Sequence, residues 1–429
     1  MALGALNRSD PSPGSLERYL NAAFLRVTEL DSRDRAFVVH LAQGVTRWRM
    51  RLDWIIAQNV RFPFDRIEPA VLNILRLGLY QILFMDRVPD SAAVDEAVKQ
   101  AKAAGRSRLA GFVNGLLRNL SRSKGRLCLP DRIQDPVQYL CVTYSYPEWL
   151  VRLWLEDFGM EASERLLAAG NRMPELVLRV NRLRTDRGEI LDRLADEGVS
   201  AKATSYSPEG IRVSRSRGSI DQWDVFGRGF VQVQGEAAQV CSHLIQPLPG
   251  ERILDACAGQ GGKTTHLAEL AGGRAEITAL DIHPERLVRL RKASERLGVR
   301  MIQAVAADAS RPLPLRAEEE FDKILVDGPC SGLGLLSRHP DGKWARRKED
   351  LLDLSTLQKA ILHRVFPFLK RGGKLLYVTC TISKVENEGV VRDFLKRQPE
   401  ARLIDLSNHV PSWGKELIDR QGYFRALPH

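Results

Sequence analysis

The sequence predicts a multidomain chain: an all-α bundle, a small α+β connector, and an α/β domain with a doubly wound, mostly parallel sheet. Three observations predict it. The chain has 429 residues, against roughly 150 per domain. Charge divides it into three blocks. Residues 1–128 hold 20 Lys/Arg against 12 Asp/Glu, residues 129–240 hold 14 against 17, and the remainder holds 30 against 24. The period of the apolar residues also changes from block to block.

In the first block Leu41, Val45, Trp48, Leu52 and Ile55 recur at helical spacing, as do Val71, Leu75, Leu79 and Ile82. Breaks fall at Phe62-Pro63-Phe64, Val88-Pro89-Asp90 and Gly105-Arg106-Ser107. Asp90 or Ser91 is expected to cap a helix from Ala92 to about Ala104. The second block opens after Leu129-Pro130-Asp131, with helices from Pro147 to about Phe158 and on to Ala169. A strand at 176–180, a helix at 187–197, a break at Gly198 and strands near 211–213 and 230–233 follow. Such a unit resembles modules that bind RNA on a sheet face. In the third block, short apolar runs at 253–255, 277–280, 302–306, 323–326 and 375–378 alternate with helical stretches. That alternation predicts a doubly wound sheet, whose ligands sit beyond the carboxyl ends of the strands.

Composition narrows the function classes. Apolar residues make up 44% and charged ones 27%, which excludes a fibrous repeat and wholesale disorder. The most apolar window, 70–85, carries Asn73 and Arg76 and is too short to span a membrane. The N-terminus lacks the pattern of a signal peptide. Six cysteines, at 128, 141, 241, 257, 330 and 380, form no C-x-x-C pair, so neither a zinc site of usual spacing nor a disulfide framework is predicted. A reduced, cytoplasmic protein is expected. The net charge of +11 favours a polyanionic partner.

Polar residues gather at the predicted strand ends. The first strand runs into Asp255-Ala256-Cys257-Ala258-Gly259-Gln260-Gly261-Gly262-Lys263-Thr264. Its glycines let backbone pass close to a ligand at a helix N-terminus. A phosphate loop would need glycine at Cys257, and a dinucleotide fingerprint would need it at Thr264. Asp281, Asp308 and Asp327 end the next three strands. One such Asp is most often a helix cap, but four at successive strand ends suit a nucleoside ligand whose ribose hydroxyls need acceptors. Cys330, in Asp327-Gly328-Pro329-Cys330, and Cys380, in Thr379-Cys380-Thr381, lie in polar loops at the same edge. Cys128, Cys141 and Cys241 read as inert small hydrophobes.

Together, Cys257 to Lys263, Asp281, Asp308, Asp327 to Cys330 and Thr379-Cys380 resemble the motif set of the S-adenosylmethionine-dependent RNA (cytosine-5)-methyltransferases, of the RsmB/Fmu/Sun type acting on bacterial 16S rRNA. Residues 3–122 resemble a NusB-like domain, notably at 74–81 and 112–118, and Tyr146 to Leu150 and Leu178 to Asn181 resemble the following block. The resemblance implies a NusB-like RNA-binding bundle over 1–125 and a helical linker with a small α+β RNA-binding subdomain over 130–235. A Rossmann-like class I methyltransferase domain would occupy 236–429. It implies S-adenosylmethionine held by Cys257, Ala258, Gly259, Gln260, Gly261, Gly262, Lys263, Asp281, Asp308 and Asp327. Cys380 would be the nucleophile toward cytosine carbon 6 and Cys330 the group assisting its release. Asp327 would hold the base edge, protonated where it donates to N3. The implied partner is 16S rRNA before or during small-subunit assembly, met by a monomer that needs neither metal nor membrane.

Arg47 with Arg51, and Arg118 with Arg122, share helical faces and are expected to meet phosphates. Arg338 to Trp344 resembles the family's active-site loop. Gln260 stands where the family often has Pro, and Gly235 where it usually has Asp. The chain ends at Leu427-Pro428-His429, where similar proteins continue into a further strand, so a strand at 401–406 is expected to lie unpaired at an exposed edge. The N-terminus begins within what resembles the family's first helix. Methylation of tRNA cytosine or of a protein, and a non-catalytic RNA-binding regulator, are the alternative readings; binding alone would need neither Cys330 nor Cys380.

Overall fold

The computed structural model describes residues 1–8, 12, 14–27, 30–215, 218–316 and 318–427. Two compact units emerge: Met1–Met173 with Leu333–Lys348, and Pro174–Gly332 with Glu349–Leu427. Pro428 and His429 lie outside the described residues. Among the described residues, no helix is long and apolar enough to cross a membrane.

The first unit is all helical. Its core is built on the helix Pro69–Phe84, whose residues 74–82 are all buried, so apolar side chains wrap it on every face. Val71, Leu75, Leu79 and Ile82 are each no more than 1% exposed. Arg76 in this helix grips Asp53 with two bonds of 2.6 and 2.7 Å. The periodicity through Trp48 conceals a break, because one helix ends at Arg47 and the next starts at Arg49. The helix near residue 90 begins at Asp90 with Pro89 in the capping position and no side-chain cap. Asp90 instead accepts from the Ser121 hydroxyl at 2.7 Å, so neither Asp90 nor Ser91 serves as the expected cap. Glu148–Ala169 is two helices joined at Gly159, whose φ of 75° only glycine adopts cheaply.

Leu333–Lys348 is an excursion of the chain into this helical unit. Lys343 is fully buried. Its Nζ donates to the carbonyls of Arg47 (3.2 Å) and Ser145 (3.1 Å) and to Asn171 Oδ1 (2.6 Å), and it sits 3.6 Å from the centroid of Tyr146. Trp344 Nε1 donates to the Thr46 carbonyl at 2.7 Å.

The second unit holds two sheets. β1 (Leu176–Val180), β2 (Ser200–Ala203), β3 (Gly210–Arg215) and β4 (Val231–Val233) form an antiparallel sheet in the order β2-β3-β1-β4. β2 has no counterpart in the sequence reading, since Ser200-Ala201-Lys202-Ala203 lacks branched residues and is mostly exposed. β5 (Arg252–Asp255), β6 (Glu276–Asp281), β7 (Ile302–Ala306), β8 (Phe321–Asp327) and β9 (Leu369–Val378) form a parallel sheet in the order β7-β6-β5-β8-β9. The order reverses beside β5, which opens a crevice at the carboxyl ends of β5 and β8. The expected strand at 401–406 is absent: 401–405 has no regular structure and Leu406–Asn408 is a short 3-10 turn. Asp405 bonds the Ser407 N–H at 2.9 Å, a local side-chain bond that competes with extension.

Arg179 of β1 ties the antiparallel sheet to the helix that follows β5. It is fully buried and bonds Glu269 (2.7 and 3.1 Å), Gln234 Oε1 (2.5 Å), the Gly262 carbonyl (2.7 Å) and Thr265 Oγ1 (3.1 Å). Gly262, Thr265 and Glu269 all belong to the helix Gly262–Leu270. Glu269→Gln is expected to lower unfolding stability by about 3–5 kcal/mol, because it leaves a buried guanidinium without its counter-charge. Chemical denaturation measures this, and a loss under 1 kcal/mol contradicts it.

Candidate active site

The turn after β5 is shaped by its glycines. Gly259 (φ 57°) and Gly261 (φ 84°) take left-handed conformations, and a Cβ on Gly261 would lie 2.6 Å from Leu290 Cγ. The Gly261 N–H closes the turn on the Ala258 carbonyl at 2.9 Å, and the Ala258 N–H reaches the Leu280 carbonyl of β6 at 2.8 Å. The helix then starts at Gly262. A Cβ at Gly259 or Gly262 would meet nothing within 4 Å, so backbone there faces open space. Gln260 is exposed.

The four acids converge on this turn. Asp255, Asp281 and Asp327 are the last residues of β5, β6 and β8, and Asp308 follows β7 by two. Asp281 Oδ2 accepts from the Gly259 N–H (2.9 Å) and Oδ1 from the His283 N–H (2.8 Å). Asp308 accepts from the Ser310 N–H at 2.9 Å. Asp255 is buried and takes the Thr264 hydroxyl at 2.7 Å, which makes it a support of the turn. Burial first, then the charges of Asp255, Asp327, Asp281 and Asp308, push the Cys257 thiol well above its ordinary value.

Lys263 places its ammonium 2.5 Å from Asp327 Oδ2. Burial alone would favour the neutral amine, but Asp327 more than offsets it and holds Lys263 above the usual lysine range. The geometry gives Asp327 an ion-pair partner in Lys263.

Cys330 and Cys380 meet across the ends of β8 and β9, with their sulfurs 3.1 Å apart. Cys380 is exposed and Cys330 half-buried. With Cys330 donating, that hydrogen bond lowers the Cys380 pKa, against the desolvation that would raise it. The same bond, then burial, raises Cys330. With the proton on Cys330, Cys380 is the better thiolate of the two.

A polar scaffold that sequence reasoning missed holds both loops. Glu386, fully buried, accepts from the Ser331 N–H (2.8 Å), the Ser331 hydroxyl and Gln358 Nε2 (3.1 Å). Gln358 also donates to the Pro329 carbonyl at 2.8 Å. Asn387 takes the Thr379 hydroxyl (2.6 Å) and donates to the Thr381 carbonyl (3.0 Å), so it brackets Cys380. An acid and an amide in Glu386-Asn387 within a polar stretch carry no spacing signal.

Other expected residues lie elsewhere. Arg47 is 2% exposed, and its guanidinium goes to the Ser337 carbonyl (2.6 Å) and Met173 Sδ (3.1 Å), so it is no phosphate contact. Arg51 packs against Trp48 and Phe84. Arg118 and Arg122 are exposed. Arg338 to Trp344, expected as an active-site loop, commits Lys343 and Trp344 to the helical unit. Cys141 and Cys241 are buried as expected, but Cys128 is exposed.

Comparison with known proteins adds the following. Residues 2–122 match the NusB family, 146–219 the ferredoxin-like domain of RsmF/B-like methyltransferases, and 242–429 the 16S rRNA methyltransferase RsmB/F family. The chain is 34% identical over 408 residues to a probable ribosomal RNA small subunit methyltransferase B of Bacillus subtilis, covering 94% of this chain and 90% of that one. It is 37% identical to the ribosomal RNA small subunit methyltransferase B of Pseudomonas putida, covering 92% and 90%. Among solved structures, PH0851 superposes with a TM-score of 0.81 at 25% identity over 100% of this chain and 94% of that one. A methyltransferase homologue from Pyrococcus horikoshii gives 0.54 at 29% identity over 60% and 81%.

Asp255 is pushed up to about 7, chiefly by burial. The folded state therefore binds a proton more tightly than the unfolded one, so Asp255's contribution to stability is fully present below about 4 and lost as the pH rises to about 7. Asp255→Asn is expected to flatten the stability profile across that window, as read by denaturation at a series of pH values. An unchanged slope contradicts the assignment.

Proposed function

This chain belongs to the ribosomal RNA small subunit methyltransferase B (RsmB/F) family, and on that premise we propose that it methylates carbon 5 of a cytosine in 16S rRNA through a covalent adduct on Cys380. The observation that carries the reading is the meeting of the Cys330 and Cys380 sulfurs, 3.1 Å apart at the strand ends.

S-adenosylmethionine, when bound, supplies an electrophilic methyl group on a positively charged sulfur. The residues present fit it. Asp281 and Asp308 offer acceptors for ribose hydroxyls, and the backbone at Gly259 and Gly262 opens onto unfilled space. Cys257 to Lys263 would hold it, with Asp327 at the border between cofactor and base.

Carbon 5 of cytosine is a weak nucleophile while the ring stays aromatic. The Cys380 thiolate adds to carbon 6, and the electron pair of the 5,6 double bond moves to carbon 5. Carbon 5 accepts the methyl group and then loses its proton to a base. The 5,6 double bond re-forms as the sulfur–carbon bond breaks, and Cys380 leaves as thiolate with Cys330 beside it as proton donor. Asp327, steadied by Lys263 through Oδ2, accepts from the exocyclic amine in its charged form; donation to N3 would require the protonated acid. The cytosine must be single-stranded or flipped to reach these groups. Exposed Arg118 and Arg122 supply backbone contacts whose strength falls with salt.

Cys380→Ala is expected to abolish methyl transfer from labelled S-adenosylmethionine to unmodified 16S rRNA while cofactor binding survives. Retained transfer in that variant refutes the nucleophile assignment. Cys330→Ala is expected to accumulate a covalent RNA–protein species, seen as a band shift under denaturing conditions; normal turnover without it contradicts the release role. Mapping the modified base separates cytosine carbon 5 from any other position.

A further inference from the structure

Away from the sulfur pair, the second unit gathers three potential metal ligands that no part of the methyl-transfer reading uses. Glu209 lies just before β3, His243 in the helix Glu236–Leu244, and His266 in the helix Gly262–Leu270. One ligand atom from each falls within 4.8 Å of the others. His266 is 1% exposed, yet neither of its ring nitrogens has a hydrogen-bond partner. A buried imidazole left unpaired on both sides is costly, and the residue facing it is His243, edge-on at 5.3 Å between ring centroids.

We propose that Glu209, His243 and His266 form a binding site for a divalent transition ion of the zinc type, with solvent in the fourth position. Two imidazoles and one carboxylate are a donor set such ions take. Bound zinc would need donor atoms about 3.3 Å apart, so closure asks for side-chain shifts of about 1 Å. The Glu209–His243 hydrogen bond of 2.8 Å marks where the ion replaces a shared proton. Glu209 is held on its other oxygen by Arg182 at 3.1 Å, with the Ser207 hydroxyl 3.3 Å from the ligating one. The nearby charge of Arg179 is neutralised by Glu269. His243 is 13% exposed at its side chain, with Trp413 edge-on against it at 5.3 Å, which gives the ion a way in. Bound there, the ion clamps the connector sheet to the helix that opens at the glycine turn.

The test uses the full chain stripped with a chelator and titrated with cobalt(II). One equivalent is expected, with the visible bands of a tetrahedral nitrogen and oxygen site and no sulfur-to-cobalt charge transfer, and excess zinc is expected to raise the Tm. Glu209→Gln is expected to weaken binding by about tenfold or more. His266→Leu is expected to remove it while the metal-free variant stays as stable as the parent, since both nitrogens lacked partners. Absence of stoichiometric binding, a thiolate band, or equal affinity in both variants overturns the proposal.

Discussion

The buried pair of Arg179 and Glu269 is the constraint on which the second unit depends. Arg179 belongs to a strand of the antiparallel sheet, and apart from its bond to Gln234 its guanidinium goes to one helix, at Glu269, Thr265 and the Gly262 carbonyl. That helix begins at the glycine turn. A charge in this setting is tolerated only if every donor is met, and the surrounding geometry meets them. Asn181, two residues on, repeats the device by donating to the carbonyls of Gly229 (2.9 Å) and Leu297 (2.8 Å). Arg179 in β1 and Asn181 just beyond it thus fasten the connector to the α/β domain with polar side chains.

From that anchored helix the chemistry follows in short steps. Lys263, in its first turn, reaches Asp327 at the end of β8. Asp327 opens the loop that carries Cys330, and Cys330 meets Cys380 at the end of β9. Glu386 and Asn387 then fix both loops from behind. Each link is one or two hydrogen bonds long, so the sulfurs are positioned by groups that react with nothing themselves.

Much of this was legible in the sequence because strand ends obey a simple rule. Five apolar runs gave five parallel strands, and the residues just beyond them are Asp281, Asp308, Asp327, Cys330 and Cys380. The helical unit was legible where periodicity was strict, as at Val71, Leu75, Leu79 and Ile82. What escaped depends on contacts distant in sequence. Arg47 looked like a surface cation and is buried against Ser337, 290 positions away. Glu386 is an unremarkable acid until Ser331 and Gln358 surround it. The strand expected at 401–406 failed because Asp405 closes a local turn.

The excursion of residues 333–348 bears on how the chain is made. The helical unit leaves the ribosome first, yet the Lys343 Nζ that holds the carbonyls of Arg47 and Ser145 is synthesised some 170 residues after the last of its helices. Until then those carbonyls lack their donor and the ring of Tyr146 its Nζ neighbour. N-terminal domains commonly fold while synthesis continues; here the first unit completes its own interior only once most of the α/β domain has been translated.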